Sequence, residues 1–467
     1  MRQRVFSVAA ALVCMVMLLV SRPVLGEDQS VTDEILDILK RDGQIDQKKY
    51  EELREKSKAE HPSGHLEASW KNGLRFYSSD GNFDLRVGGR VDNPWGIVEA
   101  SHLDKDFGIA ATPAGVPANQ LNNLDDVETG TEFRRARLYV GGTMYRYTEF
   151  RAEFDFAGGT PKFRDVWVGL KNIQGVPTFK VGHFKEPFSL EELTSSRFIT
   201  FIERGLPTVF VPSRNTGIGA QQMVLDEHMT WAVGAFHDAD DFGNGFGRDS
   251  TYNVTARLTG LPWYEKDGDL VHLGLGYSHQ FRNHDAIRYR GQPETSLGNV
   301  DFVDTRLAVL NGTTVTNVDI SSDGVDLINP ELAVVVGPFS AQGEYVHSIV
   351  NASAGSGPDF YGLYVYASYF LTGERRPYKR EEGAFDRVTP NRSLLEKGGW
   401  GAWELAARYS RVDLDDSGVE GGKLDDVTLA TNWYINPNVK IMLNYVYADR
   451  EDLGSANIVQ TNFHVDF

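Results

Sequence analysis

Cysteine is almost absent from this chain. The one cysteine, Cys14, lies near the start, so the remaining sequence forms no disulfide and offers no thiolate chemistry. Positive charge is also scarce: 47 lysines and arginines face 65 aspartates and glutamates, a net −18. A field of that sign excludes general binding to nucleic acid. After residue 26 no segment is apolar enough for a transmembrane helix. Catalytic signatures are missing too, with no Walker loop, no H-E-x-x-H and no nucleophile elbow. The 11 histidines are dispersed, and none has metal-site spacing. Acidic runs such as Asp413-Leu414-Asp415-Asp416 lack calcium-loop spacing and read as solvated loops. No enzyme, metal or cofactor is expected.

What is present begins with a leader. Arg2 and Arg4 precede an apolar run from Val5 to Val20, and Gly26 precedes the acidic Glu27-Asp28. This pattern predicts a secretory signal peptide over residues 1–26. The competing reading is a membrane anchor, for which the run is short. The leader holds three arginines and no acid, so the rest carries 44 basic and 65 acidic side chains, a net −21. Residues 27–62 differ from everything after them. Ile35, Leu36, Ile38 and Leu39 recur at helical spacing, Gly43 interrupts, and Tyr50 and Leu53 resume. Two short helices with a turn near Asp42-Gly43 are expected, either as a solvated spacer or as a self-associating coiled coil. His61-Pro62-Ser63-Gly64 reads as a linker.

From about Leu66 the period becomes two. In FRAEFDFAG, Phe150, Ala152, Phe154 and Phe156 alternate with Glu149, Arg151, Glu153 and Asp155. The same alternation sets Ala136, Leu138 and Val140 against Arg135, Arg137 and Tyr139. It sets Val254 and Leu258 against Asn253, Thr255 and Arg257, and Leu443, Tyr445 and Tyr447 against Asn444. Each segment is roughly 9–11 residues long, the length that crosses a bilayer at a tilt. Turns such as Asn436-Pro437-Asn438 and Gly337-Pro338 are short, whereas residues 283–325 and 371–399 read as long loops. Short turns on one side and long loops on the other are expected of an outer-membrane barrel. Val459, Phe463, Val465 and Phe467 share a face of the last segment, which resembles the assembly signal of bacterial outer-membrane proteins. The fold expected over residues 63–467 is all-β: a transmembrane antiparallel β-barrel of about 16 strands in the outer membrane of a Gram-negative-type bacterium.

A barrel places its function in the lumen lining and in any loop that enters it. Arg135, Arg137 and Arg151 fall on the non-lipid face and can form a ladder of fixed charge. Glu149, Glu153 and Asp155 share that face and can neutralise it. The stretch FKEPFSLEELTSSRFITFIERGLP, residues 184–207, carries a capping box at Ser189 and Glu192 with Phe188 and Leu193 as its staple. It predicts a helix after a membrane strand, stopped by Gly205 and Pro207, with Arg197 and Arg204 on one face if the helix persists. The loop then folds against the barrel wall and aims its arginines at the pore. Alternatively it packs over the rim, with the arginines paired to Glu191, Glu192 or Glu203.

GHFKEPFSLEELTSSRFITFIERGLP and FRRARLYVGG, together with GERRPY (373–378), GAWELAARYS (401–410) and NWYINPNVKIMLNY (432–445), resemble the phosphate-selective porin O and P family. The resemblance runs over roughly residues 66–467. It implies a 16-stranded, trimeric outer-membrane porin passing small anions, phosphate or polyphosphate, along arginines and lysines. The positions that match are Arg135, Arg137, Arg197 and Arg204, with Arg214 in VPSRNTG fitting the same region. The competing functions are a general diffusion porin, and a structural barrel that anchors residues 27–62 to the cell wall or a periplasmic partner. A third, a lipid hydrolase, needs a Ser/His pair on the lipid face, and no persuasive pair is found.

Overall fold

The computed structural model describes residues 31–60, 66–70, 73–101, 127–245, 251–298, 301–311, 314–353, 355–396, 398–451 and 454–467. The leader with Cys14 and the His61–Gly64 linker lie outside the described residues. The chain divides into two units, the first holding the two N-terminal helices and the second the barrel strands.

In the first unit, α1 (Val31–Arg41) and α2 (Gln47–Glu60) form an antiparallel hairpin. Gly43 takes the positive φ that the turn requires, and the Asp46 carboxylate accepts the Lys49 N–H at the start of α2, 2.7 Å away. Leu36 and Tyr50 are buried between the helices, and the Tyr50 hydroxyl donates to Asp37 at 2.7 Å. Ile38 stays exposed.

The second unit is an antiparallel barrel of sixteen strands. These are β1 (Phe83–Ser101), β2 (Arg135–Met144), β3 (Thr148–Asp155), β4 (Lys162–Leu170), β5 (Thr178–Lys185) and β6 (Arg214–Val224). Next come β7 (Met229–His237), β8 (Tyr252–Tyr264), β9 (Leu270–Ile287), β10 (Ile320–Val336) and β11 (Phe339–Ala352). The last five are β12 (Asp359–Phe370), β13 (Ala402–Asp416), β14 (Val419–Asn436), β15 (Val439–Arg450) and β16 (Gly454–Asp466). A short strand, Val127–Thr131, continues the line of β2 beside β1.

Closure comes from β16 against β1, with Asp466 opposite Arg90 and Ser455 opposite Ser101. At the seam, Gly89 and Phe467 exchange backbone hydrogen bonds of 2.7 and 3.0 Å. Gly88 has no room for a Cβ, which would overlap the Phe467 carbonyl and the Tyr139 ring. With no open edge, every strand satisfies its ladder within the barrel, as a bilayer demands. The faces follow the alternation. Leu138, Val254, Leu258, Leu443, Tyr445 and Phe463 point outward and are exposed, whereas Arg135, Arg137, Asn253, Thr255, Arg257 and Asn444 face inward.

Strand order corrects the expected sorting of loop lengths. Turns 145–147, 225–228, 337–338 and 437–438 all lie at one rim, that of Phe467. The connection from β12 to β13, residues 371–401, ends on that same rim although it is long. The other long connection is shorter than expected: β9 runs to Ile287 and β10 starts at Ile320, because the alternation continues into part of the expected loop.

Both long connections and residues 186–213 fold inward. Phe188, Leu206 and Phe210 from the 186–213 loop meet Phe302 and Val303 from the 288–319 connection. They pack on inward-facing Val325, Leu327, Val346, Val350, Phe360 and Val412. These wall positions are apolar where a water-filled channel would place polar groups. Burying each such side chain away from lumen water contributes about 1.5–3 kcal/mol. That is what draws the loops in, and it fills the lumen beside β9–β14.

Candidate functional site: a basic lumen narrowed from both rims

The predicted helix of residues 184–207 is one turn long, α3 (Leu190–Leu193). Ser189 caps it as expected, its hydroxyl accepting the Glu192 N–H at 3.2 Å. The rest of the capping box is replaced. Glu192 turns away to Lys185 and Arg204, and the Glu344 carboxylate from β11 accepts the Leu190 and Glu191 N–H groups at 3.1 and 2.7 Å. At the other end, Arg204 donates to the carbonyls of Glu191, Glu192 and Thr194 at 3.0–3.1 Å. Charged side chains from outside the turn therefore satisfy both its ends, and it has no need to continue. Phe188 and Leu193 join separate apolar clusters rather than one staple. Arg197 and Arg204 do not share a helical face, and Leu206–Val209 forms a 3₁₀ turn with Pro207 at its start rather than a helix stop.

The 371–401 connection supplies the opposite jaw. Ala384 and Phe385 pack with Leu190, Leu261 and Leu270, and the Phe385 N–H donates to Thr194 Oγ1 at 3.3 Å. Arg257 on β8 holds this hairpin, donating to the carbonyls of Glu382 and Gly383 while pairing with Glu331 at 2.7 Å. Glu186, wholly buried, ties the other side of the loop to Asn215 and Asn253, 2.8 Å from each.

Between the jaws and the walls of β1 and β3–β8 lies a cavity of about 540 Å³. Ten basic side chains line it, against six acidic ones. Arg151, Arg197 and Arg214 line it; Arg135, Arg137 and Arg204 do not. Arg151 pairs with Glu153 at 2.6 Å. Arg214 grips Asp165 with two bonds of 3.2 and 3.1 Å, and Arg151 stands 4.0 Å from the same carboxylate. Tyr139 lies between two cations, with the Arg151 guanidinium 4.2 Å and that of Arg197 5.0 Å from its ring centre. Among the described residues the carboxylate at ion-pair distance from Arg197 is that of Asp466, at 3.8 Å, and one buried terminal nitrogen of Arg197 has no hydrogen-bond partner there.

The three arginines outside the cavity are committed to carboxylates. Arg135 is buried between Asp92 (3.7 Å) and Glu203 (3.6 Å). Arg137 binds Asp155 at 2.7 Å and stands 3.6 Å from Glu153. Arg204 sits 3.2 Å from Glu192. The carboxylates of the loop answer to these partners. Burial alone would raise the Glu192 carboxyl, but Arg204, Lys185 and Arg214 outweigh it and hold the group at about 2. Glu203 is likewise lowered against its burial, by Arg134 and Arg135. For Glu191 burial wins and its carboxyl is raised, although Arg408 lies 3.2 Å away.

Several lining cations escaped the sequence reading. Arg86 and Arg90 stand at strand spacing in FDLRVGGRV, and Lys180 and Lys185 in TFKVGHFK. The period-two signal that placed Arg135 was available for Arg86, Arg90 and Lys180. Arg90 is buried, 3.9 Å from Glu153, and two of its guanidinium nitrogens have no partner among the described residues. Lys180 lies 4.8 Å over the Trp167 ring with no carboxylate at ion-pair distance among the described residues. Lys379 had no such signal, because it reaches the cavity through the folded-in connection.

A closed sixteen-stranded barrel with an apolar outer face and a charged lumen narrowed by its own connections defines an outer-membrane porin, a channel rather than an enzyme. Its place is the outer membrane of a Gram-negative bacterium. The chain belongs to the phosphate-selective porin O and P family, whose model matches residues 115–467. It is similar to Porin O of Pseudomonas aeruginosa, with 28% identity over 414 residues covering 83% of this chain and 88% of that protein. Among solved structures, the anion-selective porin of Comamonas acidovorans matches with a TM-score of 0.52 at 13% identity, over 82% of this chain and all of the other. OmpT of Vibrio cholerae matches with a TM-score of 0.52 at 12% identity, over 83% and 98%. Likeness at these identities shows the shared barrel.

Proposed function

We propose that this porin passes small anions, with preference for phosphate or polyphosphate, through the cavity between the two jaws. One observation carries the reading: the sign of charge inverts between chain and lumen. The protein is net −18, yet its cavity lining holds ten cations and six anions. Arg197, 3.8 Å from Asp466, and Lys180, with no carboxylate at ion-pair distance among the described residues, both line the cavity, which supports contact with a passing oxyanion. Arg151, Arg197 and Arg214 are then the conducting rungs, while Arg135, Arg137 and Arg204 frame them. Family membership supports the phosphate preference.

The test is the zero-current potential across a salt gradient in planar bilayers, with phosphate added against a chloride current. The expected result is an anion-selective potential and block of chloride current by phosphate. Neutralising Arg151, Arg197 and Arg214 together should bring the potential toward zero. A cation-selective potential overturns the reading, and selectivity without phosphate block reduces it to a general anion porin.

The same reading extends to assembly. The barrel forms a homotrimer, as the family resemblance implies, and residues 27–62 serve as a periplasmic helical segment after a cleaved leader of residues 1–26. The exposed Ile38 on α1 supports a self-associating role for that segment. Deleting residues 27–62 tests the structural alternative: conductance should persist, and its complete loss would favour the anchoring reading.

A further inference from the structure

The 371–401 connection sends one part into the lumen and another part outside the barrel. Residues 393–396 and 398–400 lie in a tight turn held by its own backbone. Glu396 N–H donates to Ser393 O at 3.2 Å, and Gly399 N–H donates to Glu396 O at 2.8 Å. The turn is fixed to the end of β14, where Leu394 N–H donates to Ile435 O at 2.8 Å. The Trp433 indole N–H donates to the Trp400 carbonyl, also at 2.8 Å.

The apolar side chains of this turn face outward. Leu395 is 89% exposed and sits at a φ of 70°, a left-handed conformation that leucine rarely adopts. Trp400 is 74% exposed. A backbone strained to present a leucine outward gains nothing in water and implies an apolar neighbour.

The position identifies that neighbour. Trp433 stacks on Trp403, with ring centres 5.2 Å apart and planes 17° apart, and both lie on the outward face of the barrel. Tyr369, Leu371 and Leu405 continue the same exposed face. All belong to the rim that holds the short turns, where the inner leaflet of the outer membrane ends. The turn therefore extends the lipid-facing surface of the barrel without a break. Its indoles have the amphipathic character that settles at headgroup depth.

We propose that the turn carrying Leu395 and Trp400 is an interfacial anchor that inserts these two side chains among the glycerophospholipid headgroups of the periplasmic leaflet. It fixes the height of the barrel and braces the outer root of the connection whose other part narrows the pore.

Because the only cysteine is Cys14, a single reporter can be placed cleanly. Leu395→Cys carries an environment-sensitive nitrobenzoxadiazole label, and Ser417→Cys, in the exposed turn at the opposite rim, serves as the aqueous control. Both are reconstituted into phosphatidylethanolamine–phosphatidylglycerol vesicles, and heat-modifiable gel mobility checks folding. If Leu395→Cys does not fold, Trp400→Cys takes its place. The expected result at the turn is blue-shifted emission, severalfold weaker quenching by iodide than at the control, and strong quenching by headgroup-proximal spin-labelled lipid. Iodide quenching equal to the control overturns the proposal. So does shielding from iodide and lipid quencher alike, which would assign the turn to a second protein copy.

Discussion

At the scale of single residues, Asp165 is the most informative position in the lumen. Its carboxylate takes both bonds from Arg214 and lies near Arg151, so one anion partly cancels two lining cations. Replacing it by Asn keeps the volume and removes the charge. The cavity lining then holds ten cations against five anions. Arg214 keeps a hydrogen-bond acceptor but loses its counter-ion, a change worth roughly 1–3 kcal/mol for a charged pair. Asp165→Asn is therefore expected to move the zero-current potential further in the anionic direction. Its stability cost should be moderate, because the freed guanidinium faces water in the cavity. A shift toward cations would mean that Asp165 positions the arginines rather than masking them. The distinction is chemical: an ion pair inside an anion channel both holds a guanidinium in place and competes with the permeant anion for it.

At the scale of elements, the 186–213 loop shows what alternation and capping chemistry can and cannot reveal. Strands such as FRAEFDFAG declared their type and faces, because a two-residue period has one solution when one face meets lipid. The Ser189 cap was equally legible. The length of the helix was not, since Glu344 and Arg204, 155 and 15 residues from Ser189, terminate it at both ends. The return of residues 371–401 into the lumen was hidden for the same reason. Ala384 and Phe385 acquire meaning only against Leu190, Leu261 and Leu270. The loop also carries a pH dependence. Glu192 is held at about 2, below an ordinary glutamate, so its contribution is complete above about pH 4.5 and is lost as pH falls toward 2. Protonation weakens its pair with Arg204 (3.2 Å), which holds the loop's own fold, and its pair with Lys185 (3.3 Å) at the end of β5, which fastens the jaw to the wall. Single-channel records should show growing current fluctuation below about pH 4, within that window. Glu192→Gln should show the same fluctuation at neutral pH. A record equally quiet from pH 7 to pH 3 would place the fastening elsewhere, with the apolar cluster around Phe188 as the alternative.

At the scale of the whole molecule, the inversion of charge between exterior and lumen sets how selectivity should respond to salt. An acidic chain, net −18, repels anions in bulk solution, so the preference must arise inside the barrel, where the walls exclude most screening ions. There the cations are interleaved with carboxylates at 2.6–4.0 Å, as for Arg151 with Glu153 and Asp165, so each rung acts over a short range. The Debye length is about 10 Å at 0.1 M salt and about 3 Å at 1 M. If the summed field of the lining selects the ion, the anion-to-cation permeability ratio should fall toward one when the same gradient is centred on about 1 M rather than about 0.1 M. If direct hydrogen bonds from Arg151, Arg197 and Arg214 select it, the ratio should persist across that range, because contact at hydrogen-bond distance leaves no room for screening ions. The expected outcome is a divided one. Chloride selectivity should collapse with salt, since a monatomic ion reads mainly the field. Phosphate block should survive, since an oxyanion can accept from several guanidinium groups at once. Loss of both at high salt would reduce the lumen to a diffuse positive field and remove the basis for a phosphate preference.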